Sequence, residues 1–236
     1  MIRPHLYFDN YTVNNFIDKN NRVKRMFVDT KIDKDLLWDK YKAEVEEEIQ
    51  DIVFGPDDDP SIVYDIYLSK MDDLSDVFWQ VVPMHIYQFI SVLFHTFENQ
   101  LTSYFNNEIK RYYSPTKIYS YGQVFELIKE KVGQENLSAV NKIDELRLLN
   151  NTIKHGNGSS ADQLRILRPD YFKNDDILSF GNSDLLEDWN SVYENSMALN
   201  VKEENFYLYH ESINRFWSSL PLRIYLDDLE PKYEIE

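Results

Sequence analysis

Residues 86 to 105 put an apolar side chain on one side of every helical turn. Ile86, Phe89, Ile90, Leu93, Phe94, Phe97, Leu101, Tyr104 and Phe105 recur at helical spacing over about five turns. Such a stripe needs cover along its whole length. Other helices in this chain must supply that cover, so the spacing predicts a mainly α-helical bundle. The chain has 236 residues, 43% hydrophobic and 15% aromatic, enough to build a bulky core. No cysteine is present, which excludes disulfides and thiolate metal sites.

Helix signals recur along the chain. Leu36, Leu37, Tyr41, Val45 and Ile49 predict a helix from about Asp35 to Val53. The Gly55-Pro56-Asp57-Asp58-Asp59-Pro60 segment breaks the pattern. It divides an expected N-terminal accessory region, 1–58, from a main bundle, 60–236. Leu6-Tyr7-Phe8 and Met26-Phe27-Val28 read as short strands in the accessory region; residues 61 to 81 read as helical in part, with a strand opening at Ile62-Val63-Tyr64 as the alternative. Pro83 suits the first turn of the aromatic helix, which Ser114-Pro115 ends. Shorter helices follow at Gln123 to Lys131, from Asn136 or Ser138 to His155, at Ala161 to Leu167, and at about Lys202 to Ser219.

The net charge of −16 repels nucleic acid on average without forbidding a local basic site. Basic residues gather at Lys19, Arg22, Lys24 and Arg25, at Lys110-Arg111, and at Arg165 with Arg168. These short runs read as solvated faces. There is no uninterrupted run of about 18 apolar residues, so no membrane span is expected. The first residues lack the apolar centre of a signal peptide. A cytoplasmic location fits these features.

One segment carries chemistry. Arg147, Asn151 and His155 are spaced i, i+4, i+8 at the end of a helix that Gly156-Asn157-Gly158 stops. A cation, an amide and an imidazole then share one helix face, and together they can bind an anion or move protons. The blander reading is an ordinary polar face turned to water, with Lys154 and His155 complementing the helix dipole. Asn150, Lys154 and Arg165 are the nearby groups available to hold a substrate.

Asn151-Thr-Ile-Lys-His-Gly156, late in a helix that follows a long aromatic one, resembles the motif helix of the HEPN superfamily. The similarity covers about residues 83 to 219. The resemblance implies a small all-α bundle of the kind found in toxin–antitoxin, phage-defence and RNA-processing systems. It further implies a metal-independent endoribonuclease without cofactor, with His155, Asn151 and Arg147 as catalytic residues and two protomers pairing at the site. The motif normally leaves four to six residues between Arg and His, whereas seven separate Arg147 from His155. Superfamily members that lack the full motif are non-catalytic, so the alternative is an inactive module binding a protein partner.

The remaining candidates are weaker. His95 and Glu98, three apart, have the spacing of a metal pair, but a satisfied polar pair is the simpler reading. Asp57-Asp58-Asp59 reads as a solvated turn, since no calcium loop follows. No phosphate-binding loop, dinucleotide fingerprint or nucleophile elbow is present.

Overall fold

The structure is a computed structural model that describes residues 3–52, 59, 61–112, 118–173, 184–186 and 198–226. Its first helix, α1 (Asn10–Asp29), starts where the Asp9 carboxylate accepts from Thr12 N–H. Phe16, Asn20, Val23 and Phe27 then point inward every third or fourth residue. That period explains why Met26-Phe27-Val28 is helical and not a strand: only Phe27 of the three is buried.

After α2 (Lys34–Gln50), the chain enters α3, which runs unbroken from Ser61 to Lys110. The helical reading of 61–81 holds, its strand alternative falls, and the expected helix start at Pro83 changes. Ile62-Val63-Tyr64 opens this helix and no strand, and Pro83 lies inside it instead of at its start. Proline removes one backbone donor and leaves the carbonyl four residues earlier without its bond. Pro83 sits where that loss is tolerated, just before Tyr87, the first fully buried residue of the helix. The expected stop at Ser114-Pro115 and the break at 55–58 lie outside the described residues.

Four further α-helices follow among the described residues: α4 (Tyr121–Lys129), α5 (Leu137–His155), α6 (Ser159–Leu167) and α7 (Glu203–Ser219). A two-stranded antiparallel sheet pairs β1 (His5–Tyr7) with β2 (Arg223–Tyr225) in the register Leu6 opposite Ile224. It ties the two ends of the described chain together. The fold is mainly α-helical, as the aromatic stripe requires.

The core lies between the second half of α3, α5, α7 and α1. Phe97 is fully buried, its ring centre 5.4 Å from that of Phe216 and 5.5 Å from that of Trp217. Buried Gln100 joins three elements: its amide donates to the Phe16 carbonyl and its oxygen accepts from the Trp217 indole. Tyr87 donates to the Leu199 carbonyl, and burial pushes its phenol pKa up. Thus α1, before the expected dividing line, belongs to the same core as the helices after it. By contrast, α2 packs on the first half of α3 and buries nothing completely.

By length and composition α3 is able to cross a membrane. One 18-residue stretch reaches a mean hydropathy of 1.4, with 22% of it buried. Scattered polar residues interrupt that stretch, which is why the sequence shows no continuous apolar run.

Candidate functional site

The centre of the bundle is α5, and it is covered on most sides. Ile143, Leu146, Leu149 and Ile153 face the core, and Glu145, Leu148, Asn150 and Thr152 are buried as well. One side stays accessible. It carries Asp144, Arg147 and Asn151, half-buried, and then Lys154 and His155, exposed. The helix stops at Gly156, whose φ of 67° and ψ of −140° favour glycine, and whose N–H bonds the Thr152 carbonyl at 2.8 Å. The stop leaves His155 at the helix edge, with α6 starting at Ser159.

Asp144, Arg147, Asn151 and Lys154 on this face each have a local partner. Arg147 Nε lies 3.5 Å from Asp144 Oδ1, a long contact between two side chains that are both 34% exposed. Asn151 donates weakly to Ser160 Oγ at 3.5 Å, linking α5 to α6. Lys154 Nζ reaches across to His95 Nε2 of α3 at 3.4 Å. An ammonium only donates, so Nε2 accepts and the ring proton sits on Nδ1. Nδ1 is 2.8 Å from Glu98 Oε2 and donates to it. A carboxylate–imidazole–ammonium chain therefore borders the α5 face. Beneath it, the Tyr121 hydroxyl is buried with no hydrogen-bond partner among the described residues. Burial, then the nearby Asp144, raises its pKa well above the usual value, and Arg147 opposes that rise.

The structure brings Arg147, Asn151, Lys154 and His155 onto one surface, but not Asn150 or Arg165. Asn150 is 1% exposed, and neither polar atom of its amide has a partner among the described residues. It points into the bundle, one helical step away from Asn151. Arg165 is committed to structure. Its guanidinium donates to the Asp184 carboxylate and, at 2.9 Å, to Asn157 Oδ1, and it lies 4.8 Å from the centre of the Phe172 ring.

Arg168, which as part of a basic pair reads as solvated, is mostly covered. It donates to Glu145 Oε1 at 2.6 Å, to the Tyr171 hydroxyl at 2.6 Å and to Asp170, and it stacks 3.8 Å from the Tyr171 ring centre. Burial works against its charge, yet these partners raise its pKa. Glu145 also accepts from Tyr209 at 2.8 Å and from Lys142 at 2.6 Å. This network welds α5, α7 and the turn at Pro169–Phe172 together. In sequence, the i, i+3 pairing of Lys142 with Glu145 is its only visible trace.

Among the described residues no group of three or more His, Asp or Glu is placed to hold a metal ion. His95 and Glu98 pair with each other and with Lys154, a cation that a metal would have to displace. No protein-family model, no curated protein and no solved structure matches this chain.

Proposed function

We propose that the accessible face of α5 binds and cleaves RNA without a metal, as in the HEPN superfamily that its motif resembles, in a cytoplasmic toxin or phage-defence setting. The observation that carries the reading is the placement of Arg147, Asn151, Lys154 and His155. They share the one side of α5 that the bundle leaves open, and His155 is exposed at its end. His155 takes the proton of a ribose 2′-hydroxyl, and that oxygen attacks the adjacent phosphorus. The P–O5′ bond breaks, and the leaving oxygen takes a proton from the imidazolium of a second protomer or from water. Products are a 2′,3′-cyclic phosphate and a 5′-hydroxyl. Arg147 and Lys154 neutralise charge on the phosphate oxygens.

Arg147 lies about 12 Å along the axis from His155, so pairing of two protomers brings a second Arg within reach of one phosphate. The test is cleavage of varied RNAs by the full chain in excess chelator, with the product ends identified chemically. Cyclic phosphate ends formed in chelator support the reading. Intact RNAs, or cleavage only on adding divalent metal, overturn it. A second reading, a non-catalytic module that binds a protein partner, is favoured by one observation: Arg147 is already turned to Asp144.

A further inference from the structure

The pair formed by α2 and the first half of α3 is unlike the rest of the molecule. Its seam sets Trp38, Val45 and Ile49 against Val63, Tyr67, Leu74 and Phe78, all half-buried. The Trp38 ring centre lies 5.3 Å from that of Phe78, and Lys70 pairs with Glu48, which fixes an antiparallel register.

A second apolar row runs beside the seam. At about 100° per residue, Tyr64, Leu68, Trp79 and Val82 fall about a fifth to just over a third of a turn from it. Tyr64 is 64% exposed, Leu68 47% and Trp79 53%. In an antiparallel pair the same offset on the other helix faces the same side. There α2 carries Asp35, Asp39 and Glu46, the last 3.7 Å from Lys42 Nζ. On the far edge of the row, α3 itself carries Asp65, Asp72 and Asp76. The row is thus an apolar strip with carboxylates along both edges. At the base of the hairpin it runs into a cavity of about 470 Å³, where Trp79, Val82 and Ile86 meet Val201 and where Lys34, Lys202 and the Lys31–Glu203 ion pair supply mixed charge, so the acidic selection comes from the strip above it.

We propose that this strip and its basal cavity bind an amphipathic helix of another protein, one with apolar residues every third or fourth position and Lys or Arg along its edges. Helix-in-groove recognition needs an apolar track to receive anchors and a complementary rim to set the register. Tyr64 to Val82 spans about 27 Å, the length of a helix of about 18 residues. The acidic edges select the partner's chemistry. Facing a second copy, they meet the same acids on a chain of net charge −16. Anionic membranes and nucleic acid are repelled in the same way. The inference is independent of whether the α5 face cleaves RNA.

The test uses the full chain and a labelled synthetic helical peptide of about 20 residues, with Leu along one stripe and Lys along its edges. A second peptide has Glu in place of Lys. Fluorescence anisotropy is expected to show binding of the Lys peptide and none of the Glu peptide. Leu68→Ser or Trp79→Ser is expected to weaken binding at least about tenfold, which corresponds to about 1.4 kcal/mol. The double variant Asp39→Lys, Glu46→Lys, at exposed positions that hold no core contact, is expected to reverse the preference. His155→Ala is expected to leave peptide binding unchanged, which separates this site from the α5 face. Equal binding of the two peptides overturns the proposal, as does a double variant that behaves like wild type. So does a doubled mass in light scattering that Leu68→Ser abolishes, because the occupant is then a second copy. Co-sedimentation with phosphatidylserine vesicles, lost in the same variant, overturns it too.

Discussion

Helix α3 has two halves that share one backbone and differ in almost everything else. From Tyr87 onward it buries eleven residues, among them Phe97 and Leu101, against α1, α4, α5 and α7. Before Pro83 it buries none and leans on α2 alone. Both halves are apolar, so hydrophobicity did not decide which became core. What differs is cover. The second half has four helices around it, α1, α4, α5 and α7, and the first half has one, a helix with six carboxylates against three lysines. The contrast shows that an apolar stripe predicts a need for burial, and that the rest of the molecule decides whether the need is met within one chain.

The largest test of this contrast is Phe97→Ala. It empties a site packed by Phe216 and Trp217 and is expected to cost about 3–5 kcal/mol in chemical denaturation. A loss below about 1 kcal/mol would place Phe97 outside the core. Next is Arg168→Ala, which leaves the buried Glu145 carboxylate with Lys142 and Tyr209 only. A loss of about 2–3 kcal/mol is expected. Arg168→Lys should recover only part of it, because an ammonium cannot span Glu145, Asp170 and the Tyr171 ring together.

The body should also respond to acid through His210. This side chain on α7 is buried against α1, with Nε2 3.0 Å from Asn21 Oδ1 and Nδ1 unpartnered among the described residues. Burial, and then the nearby Lys24, lower its pKa from 6.5 to about 4. The folded state thus binds fewer protons than the unfolded state between those values. The stability held by neutral His210 is fully present above pH 6.5 and is lost as pH falls towards 4, at a slope of up to about 1.4 kcal/mol per unit. His210→Gln should flatten this part of the stability–pH curve relative to wild type. Identical slopes would refute the assignment. The smallest effect belongs to the hairpin: Leu36→Ser, at a position 69% exposed, should change stability by no more than about 0.5 kcal/mol.

Much of this was legible in the residues. The stripe ending at Phe105, the stop at Gly156 and the shared face of Arg147, Asn151 and His155 all follow from local periodicity, and the structure reproduces them. Pro83 misled because its ring is equally compatible with the first turn and with a site where one lost hydrogen bond is tolerated. Met26-Phe27-Val28 misled because three apolar residues in a row carry no period of their own. Asn150 and Arg168 were hidden for another reason. Whether an amide or a guanidinium is buried depends on Glu145, Tyr171 and Tyr209, which approach from distant parts of the chain. His95 and Glu98 were visible as a pair, but Lys154, which completes their chain, comes from a different helix.

The proposed function assigns RNA cleavage to the open face of α5, while the rest of that helix holds the bundle together. The most direct measurement is RNA cleavage in excess chelator by wild type, Arg147→Ala and His155→Ala, each checked for an unchanged melting curve. Cyclic phosphate products are expected from wild type, reduced cleavage from Arg147→Ala, none from His155→Ala, and steep weakening with added salt as phosphate contacts are screened. Equal cleavage by wild type and His155→Ala, or no cleavage by any of the three, would contradict that assignment.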